Sequence, residues 1–136
     1  MGTAIPEEHR ELLEVPYGVL TTLGHDGYPQ STMVCFLAED GLVKFSLNTT
    51  RQKTRNLTAR PRATLLLVDP ASPMRTLELR GDVELSPDDD YRFARHVGRK
   101  YGGTDFRDAD RPGESRVGVV LRPVRVNVTD LRPAPG

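Results

Sequence analysis

The chain has no tryptophan, one cysteine, three histidines and only three lysines in 136 residues. With Cys35 alone, no intrachain disulfide can form, and a cytoplasmic location is the default expectation. His9, His25 and His96 are scattered, so no metal-ligand spacing arises and no metal is expected. The longest apolar run, Leu65-Leu66-Leu67-Val68, is far too short to span a bilayer. Met1 to Glu8 lacks the basic-then-apolar order of a secretory leader. Neither charge dominates, since 19 basic residues face 19 acidic ones. That balance gives no global field for nucleic acid or anionic membrane, and neither is an expected partner. Any anion recognition must be local. A glycine-rich dinucleotide fingerprint, a P-loop and internal repeats are all missing.

What remains suits one domain over residues 1–136, with its core between about 10 and 130 and a frayed tail at 131–136. Pro6 to Glu14 reads as a short helix, acidic in its first turn and stopped by Pro16. Gly18 to Leu23, Gln30 to Ala38 and Leu42 to Asn48 read as three strands in a meander. They are joined at Gly24-His25-Asp26-Gly27 and at Asp40-Gly41, and Asp-Gly is a strong hairpin signal. Arg62 to Asp69 is a fourth strand whose Leu-Leu-Leu-Val centre predicts burial on both faces. Met74 to Leu85 alternates cleanly, with Leu77, Leu79, Gly81, Val83 and Leu85 facing inward. Ser86-Pro87-Asp88-Asp89-Asp90 predicts a serine-capped helix carrying Phe93, Ala94, Val97 and Tyr101, ended by Gly102-Gly103. Thr104 to Ser115 predicts a mobile loop, and a last strand runs from Val117 to Val128 with an interruption at Pro123. Six strands with three short helices in this order predict a mainly β (α+β) fold, a small six-stranded antiparallel barrel.

The segment Thr49 to Leu57 carries the most chemistry. Thr49 and Gln52 fit a capping box, which would start a helix there. Cations are disfavoured in a helix's first turn, where the macrodipole is already positive. Arg51, Lys53 and Arg55 nevertheless crowd into it. Free backbone N–H groups, threonine hydroxyls, a guanidinium and an ammonium are what a phosphate needs, so an anion site is the preferred reading over a solvated helix. Lys53 gains weight because sixteen of the nineteen basic residues are arginine. On the second and third strands, Gln30, Thr32, Ser46 and Asn48 could line a groove for a flat, heteroatom-rich ring. The other reading makes them solvent-facing positions of a half-buried sheet.

Gly-Val-Leu-Thr-Thr-Leu, Asp-Gly-Tyr-Pro-Gln, then Lys-Thr-Arg-Asn-Leu followed by Pro-Arg-Ala, in this order, resemble the split-barrel flavin and deazaflavin family related to pyridoxamine 5′-phosphate oxidase. Within it, the chain is most similar to short actinobacterial members that use the deazaflavin coenzyme F420. The resemblance implies a six-stranded FMN-binding-type split barrel, a homodimer, and two cofactor sites at the subunit interface. It implies that Gln30, Ser31, Thr32, Met33 and Val34 lie along the ring system. Ser46 and Thr50 would position the polar chain, and Arg51 and Lys53 would hold the phosphate with Thr54 and Asn56 close by. It further implies hydride transfer between the deazaflavin and a small organic substrate, such as an activated double bond or a quinone-like acceptor. FMN is the alternative cofactor, and a coenzyme-binding protein without turnover the alternative function. The family's vitamin-oxidising members carry a tryptophan-bearing C-terminal strand. Arg122-Pro123-Val124-Arg125 only faintly echoes it.

No catalytic residue stands out. A Ser-His-Asp set and paired carboxylates are missing. Cys35 is expected on the core face of its strand and inert. His25 is expected to be solvated in a turn, and Lys100 and Tyr101 to be a surface lysine beside a packed tyrosine.

Overall fold

The computed structural model describes residues 4–133. Met1 to Thr3 of the leader reading, and residues 134–136 of the expected tail, lie outside it. Seven antiparallel strands form one sheet: β1 (Gly18–Leu23), β2 (Pro29–Val34), β3 (Leu37–Glu39), β4 (Leu42–Asn48), β5 (Arg62–Asp69), β6 (Ser72–Pro87) and β7 (Arg116–Asp130). Their spatial order is β2-β1-β5-β6-β7-β4-β3. Two α-helices, α1 (Gln52–Ala59) and α2 (Arg92–Gly98), pack on it, with a 3-10 helix at Glu7–Glu14. None of these helices is long and apolar enough to cross a membrane.

Alternation builds the core. Leu20, Leu65, Leu67, Leu77, Leu79, Val119 and Leu121 point to the shared interior with Phe36 and Phe45 and are essentially inaccessible. Each such side chain contributes about 1.5–3 kcal/mol relative to an exposed one. The expected inward set of β6 is found, although Leu85 is only half-buried. Asp40 and Gly41 both have positive φ (54° and 75°), the type I′ geometry that ties β3 to β4.

Four expectations need correction. The predicted second strand breaks after Val34, so there are seven strands rather than six. β2 and β3 lie at opposite ends of the sheet, and Cys35-Phe36 carries the chain between them. The Phe36 amide donates instead to the Tyr101 hydroxyl at 2.8 Å, and that hydroxyl donates to the Pro16 carbonyl at 2.6 Å. On β5, only Ala63, Leu65 and Leu67 are buried, while Thr64, Leu66 and Val68 stay half-exposed on the outer face. Ser86 and Pro87 end β6 rather than starting a helix. The buried Asp88 carboxylate does the capping, accepting the Phe93 and Ala94 amides at 3.0 and 2.9 Å. Finally, β7 runs unbroken through Pro123, because a bulge opposite Arg80 and Gly81 absorbs the missing donor.

Candidate functional site

The sheet does not close on itself. β2 pairs only with β1, and β3 covers β4 only at Leu42 to Lys44. Among the described residues, one edge of β2 and one edge of β4 from Phe45 to Asn48 are therefore free of strand partners. The two strands are not sheet neighbours, as the groove reading assumed; the curvature of the sheet brings their edges face to face. In the gap lies a cavity of about 150 Å³. Met33, Val34 and Cys35 wall it from the β2 side, and Ser46, Leu47 and Asn48 from β4. Arg51 and Lys53 line it from the start of α1, and Phe106 and Arg116 complete the lining.

The start of α1 is not built as a capping box. Thr49 Oγ1 bonds instead with Ser115, and Gln52 Nε2 donates to Asn56 Oδ1 at 2.8 Å. The turn is held by Asn48, whose Oδ1 accepts from both the amide and the hydroxyl of Thr50. Thr54 Oγ1 donates to the Asn48 carbonyl at 2.7 Å. Lys53 Nζ donates to Thr32 Oγ1 at 3.2 Å. Burial, and after it the nearby Arg51 charge, holds the Lys53 ammonium below the usual lysine range. Arg51 is exposed and takes part in none of the ion pairs found among the described residues. Arg55 turns away to the Thr50 carbonyl and Gln52.

The predicted site residues thus divide. Met33, Val34, Ser46, Arg51 and Lys53 line the cavity, and Thr32 touches it through Lys53. Asn56 is buried beneath α1, donating to Thr22 Oγ1 at 3.0 Å and Gln30 Oε1 at 3.3 Å, so this pair fastens the helix to β1 and β2. Thr54 is likewise buried. Ser31 lies on the outer face, bonded to Thr21, and Thr50 sits outside the lining beside Asn48 and Glu114.

Four lining residues were not foreseen: Leu47, read as a core position, and Cys35, Phe106 and Arg116. Cys35 is half-exposed in the cavity wall rather than on the core face, because Val34 and Phe36 take the core positions on either side of it. Burial raises its pKa, which keeps it a thiol. Arg116 and Phe106 come from the other end of the chain. The predicted mobile loop contains a 3-10 helix at Phe106–Ala109 and is anchored through Asp110. That carboxylate accepts from Arg116 Nε and Nη2 at 2.8 and 2.9 Å, from Asn48 Nδ2 at 2.9 Å and from the Tyr91 hydroxyl at 3.0 Å. Burial opposes its charge, but these donors outweigh that cost and hold its pKa below the ordinary range. Asp110 and Arg116 are only six residues apart, but an irregular turn separates them, so no periodicity announces the pair. The Lys100 ammonium, expected at the surface, donates to the Val15 carbonyl at 2.7 Å and lies 3.4 Å from the Phe36 ring centre.

An antiparallel barrel split along one seam, with cations gathered in the split, defines a flavin-type split-barrel architecture. The chain belongs to the pyridoxamine 5′-phosphate oxidase family, whose pattern matches residues 5–130. Among solved structures it is similar to an F420 reductase, at 35% identity and a TM-score of 0.78 over 90% of this chain and 98% of that one. It is also similar to a conserved hypothetical protein from Mycobacterium tuberculosis, at 25% identity and a TM-score of 0.75 over 98% and 92% of the two chains. A heme binding protein from Mycobacterium smegmatis shares the fold at 23% identity and a TM-score of 0.68, over 93% of this chain and 55% of that one. No curated protein matches the chain.

Proposed function

We propose that the protein is an F420-dependent oxidoreductase that transfers a hydride between the deazaflavin and a small organic acceptor, such as an activated double bond or a quinone-like ring. The observation that carries this is the pair Arg51 and Lys53 at a cavity with no carboxylate among its lining residues. That donor set fits a phosphate: two cations, a threonine hydroxyl held by Lys53, and the start of α1. The similarity to an F420 reductase favours the deazaflavin over FMN.

The cavity has room for a phosphate and part of a polar chain. Its volume of about 150 Å³ falls below the ~300–1,000 Å³ of a complete cofactor pocket. The ring would extend along the free edge of β2, whose unpaired backbone groups can meet ring heteroatoms while Met33 and Val34 supply apolar contact. We take a second copy of the chain to complete the site. In support, the outer face of the sheet carries an apolar row, Met33 opposite Val19 opposite Leu66, with Met33 61% exposed.

The bound deazaflavin supplies a two-electron hydride carrier that does not readily pass single electrons to oxygen. The protein's part is to grip the phosphate through Arg51 and Lys53, hold the ring against β2 and exclude water. The test is to titrate the purified protein separately with F420 and with FMN, then to follow oxidation of the reduced coenzyme by quinones and enones. Tight F420 binding with turnover is expected. Preference for FMN would reassign the cofactor, and binding without turnover would make the protein a coenzyme carrier.

A further inference from the structure

Arg116 is committed in an unequal way. Its side chain is 8% exposed, and Nε and Nη2 are both spent on Asp110, itself 4% exposed. The third nitrogen, Nη1, reaches only Ser46, at 3.3 Å from both the carbonyl oxygen and Oγ. Both bonds are at the long end of the hydrogen-bond range. Ser46 lies on the free edge of β4, and Ser46 and Arg116 both line the cavity. The Phe106 ring lies 5.4 Å from the guanidinium carbon, which keeps the group from swinging toward the loop. Asp110 accepts four donors, from Arg116, Asn48 and Tyr91, and so has no lone pair left for a metal or for a proton in transit. Such a carboxylate can only position.

We infer that Arg116 is a further ligand-contacting residue of the cavity, presenting Nη1 to a carbonyl or phosphate oxygen of the bound coenzyme, and that Asp110 is the positioning residue that aims it. This rests on the reading of the cavity as a coenzyme site. It adds a recognition element from the start of β7, far in sequence from Lys53. It also assigns the segment 104–115 a part in binding, because Asp110 and Phe106 fix the guanidinium from that segment. The bland alternative is a buried ion pair that merely staples the loop to β7.

A double-mutant cycle separates the two. Wild type, Arg116→Met, Asp110→Asn, the double variant and Lys53→Ala are titrated with F420 and with FMN, and each is melted. Replacing both members of a buried pair is often neutral for folding, so the double variant is expected to melt near wild type. Arg116→Met is expected to weaken binding about tenfold or more, the size of one hydrogen bond to a charged group. Asp110→Asn is expected to weaken it about threefold to tenfold, with no further loss when Arg116 is already Met, because Asp110 acts only through it. If Asp110→Asn does not fold, the double variant against wild type still decides. A folded double variant that binds like wild type, while Lys53→Ala binds weakly, overturns the inference and leaves the cavity reading standing. Additive losses overturn the positioning role of Asp110. Unchanged binding in both Lys53→Ala and Arg116→Met, or no binding of either coenzyme to wild type, overturns the cavity reading and this inference together.

Discussion

Lys53 in α1 and Thr32 in β2 meet across the split of the barrel, the ammonium donating to the threonine hydroxyl at 3.2 Å. The bond joins the cationic helix to the strand whose outer edge lacks a partner. It also leaves the ammonium with donors to spare, since Nζ carries three protons and Thr32 takes one. Lys53→Ala, and separately Arg51→Ala, are expected to weaken coenzyme binding by about 1.5–3 kcal/mol, the range for hydrogen bonds to charged groups. Stability should hardly change, because a cation in the first turn opposes the macrodipole. Fluorescence titration beside a urea melt checks both halves, and unaltered dissociation constants in both variants would return the segment to a solvated helix.

Asn56 was expected beside the phosphate, but its amide points under the helix to Thr22 and Gln30. Asn56→Ala is therefore expected to cost about 1–3 kcal/mol of stability, because the buried Thr22 hydroxyl and the half-buried Gln30 amide lose their partner. Coenzyme affinity should stay within about threefold, less than one charged hydrogen bond. A large loss of affinity in a stably folded variant would put Asn56 back among the ligand contacts.

What could be read from the sequence were the local features. The type I′ turn at Asp40-Gly41, the alternation of Leu77 to Val83 and the crowding of cations at Arg51 to Arg55 are written in adjacent residues. The break at Cys35-Phe36 was not legible, since no glycine or proline marks it and the bond that permits it comes from Tyr101, 65 residues away. The capping box failed for a related reason. Thr49 found Ser115, and Asn48 took over the turn. On the site, the cationic half was visible and the Arg116–Asp110 half was not, because Arg116 opens β7 and pairs back to Asp110 across an irregular turn, which leaves no periodicity to recognise.

The apolar row formed by Met33, Val19 and Leu66 on the outer face leads to an expectation about assembly. The protein should sediment as a dimer at micromolar concentration, and Leu66→Arg should shift it toward monomer, since a charge buried at the centre of an interface is costly. Coenzyme affinity should fall with the dimer. A Leu66→Arg variant that stays dimeric would move the interface elsewhere on the barrel.

Lys100 gives a pH dependence with a definite sign. Burial pushes its ammonium down to about 8 from 10.5, against the opposing pull of Glu14 and Cys35. Between those values the unfolded chain holds the proton more tightly than the folded one, so this group makes stability rise with pH across that window. Tyr101, pushed up to about 12 chiefly by burial, acts in the opposite direction above its ordinary value. Comparison with Lys100→Met largely removes that contribution. The difference in urea midpoint, wild type minus variant, is expected to grow in favour of wild type between about pH 7 and about pH 9.5. A flat or falling difference would mean that Lys100 is better solvated than its contacts with Val15 and Phe36 imply.

The nature of the proton source follows from what lines the cavity. Hydride transfer to a double bond needs a proton for the neighbouring atom, and among the lining residues the only groups able to give one are Cys35, Lys53, Arg51, Arg116, Ser46 and Asn48. Guanidinium, amide and hydroxyl groups are poor proton donors near neutral pH, and Lys53 is assigned to the phosphate. Cys35 remains, but burial raises its pKa and makes it a poorer acid. His25 is exposed in the turn between β1 and β2. The proton is therefore expected to come from solvent, and Cys35→Ser and His25→Ala should keep turnover within about tenfold of wild type, below the usual loss on removing a general acid. The measurement is steady-state oxidation of the reduced coenzyme, with binding followed in parallel. If Cys35→Ser abolishes turnover while the coenzyme still binds, the thiol is a proton donor, and its place in the wall of the split, two residues from Met33, becomes the centre of the active site.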